Sequence, residues 1–302
     1  MIGADYSTKF SPWLAHGCIS PRYIYAECQK YEREREKNKS TYWIGFELTC
    51  RDYFRFFSLK HGNSIFMVGG PAQRSWRWES NANDEKFQRW VRGETGQPLV
   101  DANMRELALT GFMSNRGRQN VASYLTQNLN VDWRLGAAYF EDVLIDHDVT
   151  ANWANWNAAA GVSGGRINKF NILKQSKDYD EQGEYCHLWC PELANVPSPK
   201  VHLPWTLSDA EQSEYRVTVL PYKSAASPDI GPTYPTPLQE VQDRRGDNSS
   251  RTQGSGYSLD GGEGSRGKGG ERGEGCGTRN RKSNSGNSHR PDELEAHKGG
   301  YT

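Results

Sequence analysis

Glu47, Arg51 and Arg55 follow one another at intervals of four, a spacing that on a helix lines up one carboxylate and two guanidinium groups. Such a row is either a solvated salt-bridge ladder or a charged face turned toward a ligand. His147 stands between Asp146 and Asp148, where flanking carboxylates would tune an imidazole, although a surface or capping histidine fits the same pattern. Cys186, His187 and Cys190 offer three soft ligands within five residues. No second cluster completes the four-coordinate shell of a structural zinc site, so no metal is expected. Gly262, Gly264 and Gly267 match the glycine fingerprint of dinucleotide-binding turns, yet no strand pattern precedes them, no helix pattern follows, and glycine abounds there. In the same stretch Arg266-Gly267 and Arg272-Gly273 have the form of segments that bind single-stranded nucleic acid by charge and stacking, with a flexible tail as the simpler reading. Ten tryptophans supply large rings for a core.

Helices must position these groups. Between Thr41 and Lys60 the residues Trp43, Phe46, Cys50, Tyr53 and Phe57 recur at steps of three and four, the period of a helix with one buried stripe. A second helical region runs from Asp101 to Leu129 through Met104, Leu107, Val121 and Leu125, broken near Thr110-Gly111. Leu135 to Ile145 forms another, ending at Asp146-His147-Asp148. No convincing alternating pattern precedes Tyr215, so the fold reads as all-α. Tyr215 to Leu220 has the composition of a short strand, but its Pro-rich surroundings and lack of a partner leave it unassigned.

All ten Trp and all ten Phe lie at or before Trp205, while nearly half of the 31 Gly fall after Arg245. This segregation predicts one folded domain over residues 1–205 and a low-complexity extension over 206–302, mostly disordered, with Pro, Gly, Ser and charge dominating from Ser224 onward. The formal net charge is zero, so nucleic-acid binding would need a local basic face. Six cysteines at irregular spacing suggest reduced thiols and an intracellular compartment. No long apolar run suggests a membrane span, and the first residues lack the pattern of a signal peptide. A cap-like Ser7-Thr8-Lys9-Phe10-Ser11-Pro12 appears at once, as if the chain opened inside a domain.

The segments Tyr6–Ala15, Phe46–Phe54, Asp101–Arg105, Thr110–Gln119 and Gly183–Tyr185 closely resemble motifs of DASH-type cryptochromes, blue-light flavoproteins of the photolyase family. They occur in family order with near-family spacing, over roughly residues 3–205. The resemblance implies an all-α, photolyase-type FAD-binding domain, incomplete here, that cradles a folded-back FAD. It places Ser7, Thr8, Lys9, Phe10 and Ser11 around the diphosphate and ribityl chain, where hydroxyls, N–H groups and a cation suit a pyrophosphate. Arg51 is implied as a second cofactor contact, Asn115 as the residue beside flavin N5, and Arg118 with Asp146 as a pair at the isoalloxazine. Asp148 and Asn152 are implied as further polar contacts.

The reaction so implied is that of a deoxyribodipyrimidine photo-lyase, a carbon–carbon lyase. Light-excited reduced FAD gives one electron to a cyclobutane pyrimidine dimer, the ring splits, and the electron returns. Glu47 would hydrogen-bond the dimer bases. Trp156, Trp133 and Trp78 would relay electrons to oxidised flavin, with Trp76 as an alternative end. DASH members resemble photolyases that prefer single-stranded DNA, where flipping a lesion out of its stack costs least. RNA is a further expected partner through the tail, and a monomer is expected. The alternative reading is a photoreceptor or nucleic-acid-binding module without repair. Ser114 to Gln119 lacks the histidine pattern of (6-4) photolyases, so that activity is not implied.

Several positions depart from the family. Cys50 stands where a Trp precedes Arg51, and Ala158 where an aromatic usually packs on the dimer. Each removes a stacking surface worth about 1–3 kcal/mol per base. Asn168 and Leu173 replace the usual Arg and Pro nearby. The N-terminal α/β domain for an antenna pterin or folate, and the first helices of the flavin domain, have no counterpart here. Exposed apolar surface is the expected consequence.

Overall fold

Asn38 starts the longest helix: its side chain accepts the N–H groups of Ser40 and Thr41 at 2.9 and 3.1 Å, while Thr41 Oγ1 accepts the Asn38 N–H at 3.2 Å. The structure, a computed structural model, describes residues 2–3, 8–167, 169–220 and 232–239. Among these the helices are α1 (Ser11–Ala15), α2 (Pro21–Glu34), α3 (Lys39–His61), α4 (Glu85–Arg92), α5 (Pro98–Thr110), α6 (Asn115–Ser123), α7 (Trp133–Val143), α8 (Val149–Ala160), α9 (Ile172–Tyr179), α10 (Glu184–Trp189) and α11 (Asp209–Tyr215). Two short strands follow, β1 (Thr218–Leu220) and β2 (Thr233–Pro235). Side chains of Asp84, Ser114, Asp132, Asp148, Asn171 and Ser208 cap α4, α6, α7, α8, α9 and α11 by accepting N–H groups of the first turn.

The main core is built by residues from α4 onward, joined by Ile2. Trp90 is its hub: the ring is fully buried, lies nearly parallel to Phe87 and Phe140 at centroid distances of 6.0 and 6.2 Å, and donates its N–H to Val121 O at 3.1 Å. One side chain thereby joins α4, α6 and α7, burying apolar area and satisfying its polar atom at once. α5 ends where the sequence breaks. Gly111 adopts φ 69°, and a Cβ there would stand 2.7 Å from Ile145 Cγ2, so only glycine lets α5 turn back against the end of α7.

The predicted stripe on α3 is not buried. The helix forms, but Thr41 is its one buried residue; Tyr53 is 58% exposed, and Trp43, Phe46, Cys50 and Phe57 are partly covered. α3 packs on α2 and α8, at an edge of the core. Its apolar period reports a face able to pack, and among the described residues only part of that face finds a partner.

Packing continues beyond Trp205. Leu207, Val217 and Tyr234 join the main core, and β1 pairs in parallel with β2 in the register Thr218↔Thr233, Val219↔Tyr234, Leu220↔Pro235. Tyr234 Oη donates to Asp101 Oδ2 at 2.5 Å. Asp101 Oδ1 accepts the Thr95 N–H and hydroxyl at 2.7 and 2.6 Å. A fully buried carboxyl needs such donors, and burial still pushes it above the ordinary aspartate range. Composition misses this segment because its apolar residues are isolated and without period. The Arg/Gly stretch and the glycine fingerprint at 262–267 lie outside the described residues.

Replacing Tyr234 by Ala should cost about 3–5 kcal/mol in equilibrium denaturation, because it empties a buried ring site and removes a donor to Asp101. Tyr234→Phe, which keeps the ring, should cost about 1–3 kcal/mol. Equal stability of Tyr234→Ala and the parent would show that β2 adds nothing to the fold.

Candidate functional site

The reversal at Gly111 sets α6 beside the turn between α7 and α8, with the Ile145 N–H bonded to Gly111 O at 2.9 Å. Ser114 then starts α6 by accepting the Gly117 N–H at 3.2 Å. From the first turn of α6, Arg118 spans the gap. Its Nε donates to Met113 O at 2.8 Å and its Nη2 meets Asp146 Oδ2 at 2.7 Å. The Asp146 side chain is 2% exposed, and its Oδ1 is buried without a hydrogen-bond partner. Asn115, one turn before Arg118 on the same face, is exposed.

Asp148 caps α8, its Oδ1 accepting the Ala151 N–H at 2.9 Å and the Thr150 hydroxyl at 2.6 Å. Arg55 Nη2 lies 3.6 Å from its Oδ2. Burial opposes ionisation of Asp148, but the hydrogen bonds and the charges of Arg55 and Arg51 prevail and hold its carboxyl below the ordinary range. Arg51 itself lies 3.7 Å from Asp52. Asn152 donates to Ala137 O at 2.9 Å, tying α8 to α7.

The N-terminal segment reaches the same place. Lys9 Nζ sits 5.2 Å from the centroid of the Phe112 ring, which the Arg118 guanidinium also approaches at 5.7 Å. His16 Nε2 lies 3.1 Å from Ile145 O. Thr8 and Phe10 are exposed and Ser11 opens α1, whereas Ser7 lies outside the described residues. Lys9, Asn115, Arg118 and Asp146 thus form one group, and Arg51, Arg55 and Asp148 another, where α3 meets α8. Glu47, one turn before Arg51, faces solvent, yet the surrounding protein withdraws enough water to push its carboxyl up. Burial and the Glu47 charge together push the neighbouring Cys50 thiol up. Two concave surfaces, of ≈ 530 Å³ beside α11 and β1 and ≈ 270 Å³ between α2 and α3, do not coincide with either charged group, although Phe10 borders the second.

The four tryptophans expected to form a relay fall into separate ring contacts. Trp156 meets Phe140 and Trp90 edge-on at 5.2 and 6.2 Å, Trp133 meets Trp153 at 5.8 Å, and Trp76 meets Trp78 at 6.0 Å. A backbone bridge between Glu79 and Val131 brings Trp78 alongside the start of α7, which carries Trp133. Trp90 and Trp153 are aromatic neighbours that sequence reasoning left as core filling; the step of three from Trp153 to Trp156 was the available signal for one of them. Glu106 was also missed. It is 5% exposed on α5 and bonded to Tyr185 Oη.

The soft-ligand trio Cys186, His187 and Cys190 is not brought together, since His187 Nε2 bonds Val196 O at 2.8 Å and Cys190 turns to Pro98 O. Cys186 instead groups with Asp180 and His202. Asp180 there accepts the Tyr185 and Cys186 N–H groups at 2.9 and 3.0 Å, the work of a helix cap. Asn168 lies outside the described residues; Leu173 is buried in α9 and Ala158 is exposed on α8.

Residues 43–254 match the family model described as the FAD binding domain of DNA photolyase. A Cryptochrome DASH of Synechocystis sp. is 52% identical over 251 residues, covering 81% of this chain and 49% of that protein. Another, of Ostreococcus tauri, is 60% identical over 199 residues, 66% of this chain and 36% of that protein. The crystal structure of a Synechocystis cryptochrome superposes with a TM-score of 0.72 at 52% identity, over 79% of this chain and 47% of that one. A bacterial class III photolyase from Agrobacterium tumefaciens gives 0.66 at 27% identity, over 78% and 47%. The helical core is therefore that of a photolyase-type FAD-binding domain. The chain belongs to the DNA photolyase/cryptochrome family, among its DASH cryptochromes, and spans half or less of the length of these relatives.

FAD is the cofactor of this domain, and the donor set suits it. An anionic diphosphate and a heteroaromatic ring call for cations and for polar atoms with spare capacity. Lys9, Arg51 and Arg118 supply the first; the unpartnered Oδ1 of Asp146 and exposed Asn115 supply the second.

The depressed carboxyl of Asp148 gives a pH test. Its ionic contribution is present above the unfolded-state value of about 3.9 and is lost as pH falls through the lower folded value. Asp148→Asn keeps a good cap, so it should be less stable than the parent at pH 7, with the gap closing below about pH 4 in denaturant titrations. A gap independent of pH would assign the loss to geometry.

Proposed function

We propose that this domain binds FAD and supports blue-light-driven electron transfer to cyclobutane pyrimidine dimers in single-stranded DNA. The observation that carries the reading is the 2.7 Å Arg118–Asp146 pair set beside Asn115 and Lys9. Bound FAD would supply the transferable electron; binding, orientation and charge fall to the chain. Lys9, with Ser7, Thr8, Phe10 and Ser11, holds the diphosphate end, and Arg51 adds a second cation. Asn115 and Arg118 face the ring. Asp146 and Met113 O fix the guanidinium, so a positive charge stays where an anionic ring is stabilised without reorganisation. Asp148 and Asn152 complete the polar wall where α8 begins.

Glu47 is the residue for the substrate. A carboxyl pushed up by desolvation carries a proton more readily, which lets it donate to a base carbonyl. Trp156, Trp133 and Trp78 return electrons to the cofactor, and the Trp76–Trp78 pair lets the relay end on either ring. Cys50, one turn from Glu47, and exposed Ala158 offer no aromatic face to a flipped base. They favour a second reading, a photoreceptor or nucleic-acid-binding module that keeps FAD and has lost repair.

The test is absorption after incubation with FAD and desalting, then blue illumination with a reductant, then repair of dimer-containing oligothymidylate. Retained, photoreducible FAD is expected, weakened at least about tenfold in Arg118→Ala, the equivalent of roughly 1.4 kcal/mol. Light-dependent repair should fall in Glu47→Gln without loss of FAD. Photoreducible FAD with no repair selects the second reading, and a colourless protein overturns both.

A further inference from the structure

Behind α6 lies a buried acid to which the reading above assigns nothing. Glu106 Oε2 is 2.5 Å from Tyr185 Oη, which is also 3.2 Å from Asn103 Oδ1. The Asn103 amide is oriented by its Nδ2, which donates to Leu99 O at 2.6 Å, so its oxygen faces Tyr185. That oxygen also lies directly under Gly117 of α6, where a Cβ would come within 2.0 Å of it. One phenolic proton here serves two acceptors. With Glu106 protonated, both contacts are hydrogen bonds, since Glu106 donates to Tyr185 Oη and Tyr185 donates to Asn103 Oδ1. With Glu106 ionised, the phenol satisfies only one of them.

We propose that Glu106 is a positioning residue that takes up one proton when FAD occupies the site at Lys9 and Arg118. The inference rests on the FAD reading above. Burial pushes the Glu106 carboxyl up, while the Tyr185 hydrogen bond and the charges of Lys9 and Arg118 pull it back down. A diphosphate or anionic ring on those cations cancels their pull, so the carboxyl gains a proton as the anion arrives. The neutral acid then leaves both cations to the ligand and completes the Glu106–Tyr185–Asn103 chain against the underside of α6, the helix that carries Asn115 and Arg118. Groups facing this acid are Lys9 from the N-terminal segment, Arg118 from α6 and Tyr185 from α10, while Arg105 and Asp101 on its own helix are engaged elsewhere, by Glu192 and by Thr95 and Tyr234. His16 and His147 also stand at the edge of the site and must be distinguished from it.

The sign follows from linkage. A group whose affinity for protons rises on binding makes FAD bind more tightly at low pH, and affinity falls as pH rises from the free to the bound value. The experiment is calorimetry of FAD binding to the full chain over a pH series, at each pH in two phosphate-free buffers whose different ionisation heats reveal proton uptake. The parent should take up a proton within part of this series. Glu106→Gln should abolish that uptake and make affinity independent of pH, near the parent's low-pH value. Tyr185→Phe removes a bond that holds the carboxyl down and should move the uptake window to higher pH, which protonation of His16 or His147 would not follow. FAD binding without uptake, or uptake that persists in Glu106→Gln, overturns the proposal while leaving the cofactor reading intact. No FAD binding by the parent overturns the cofactor reading, and this inference with it.

Discussion

Arg118 and Asp146 meet at 2.7 Å across the junction of α6 with the α7–α8 turn, and the site's geometry follows from how that pair is held. Asp146 is almost wholly desolvated while Arg118 keeps access to water on one side. Such a pair adds little net stability, because taking a carboxylate out of water costs about as much as the attraction returns. What it fixes is position. The guanidinium is held by two acceptors, the carboxylate from the α7–α8 turn and Met113 O from the segment that Gly111 has reversed. Removing either charge leaves its partner uncompensated.

The second half of the site depends on a less firmly held element. α3 carries Glu47, Cys50, Arg51 and Arg55, yet contributes no residue to the main core. Its alignment comes from packing on α8 and from the 3.6 Å Arg55–Asp148 contact at the α8 cap. An exposed ion pair of this length contributes only about 0–1 kcal/mol. The Glu47 carboxyl thus rides on a helix on which three aromatic residues, Tyr42, Tyr53 and Phe56, are more than half exposed. The polar groups on α6 are anchored far better.

What was legible in the sequence was local. The helical periods of α3, α5, α6 and α7 are there, as is the break at Gly111, because period and glycine act within a few residues. Burial was not legible on α3, since an apolar stripe states what a helix could pack against and not whether a partner is present. Nor was Tyr234, a single aromatic among prolines and threonines whose meaning lies in Asp101, far back in the chain. Most site positions came from family resemblance, since their side chains converge from α3, α6, the α7–α8 turn and α8, and no single window contains them. Glu106 escaped even that comparison. Its segment matched, but its role appears only when Tyr185 and Asn103 stand beside it.

A formal charge of zero hides the feature on which this site turns. Lys9 and Arg118 stand with Asp146 and Glu106, and Arg51 and Arg55 with Asp148 on the helix that carries Glu47, so the field in each group is set by which acids are ionised. Asp148 is held charged by its cap and by arginines, and Asp146 is engaged by Arg118. Glu47 and Glu106 are pushed the other way by loss of water. The opposite shifts set the acid that stays charged beside arginines apart from those that ionise less readily. Each raised acid that gains a proton tips the local balance toward the cations, which the chain's overall charge would not suggest.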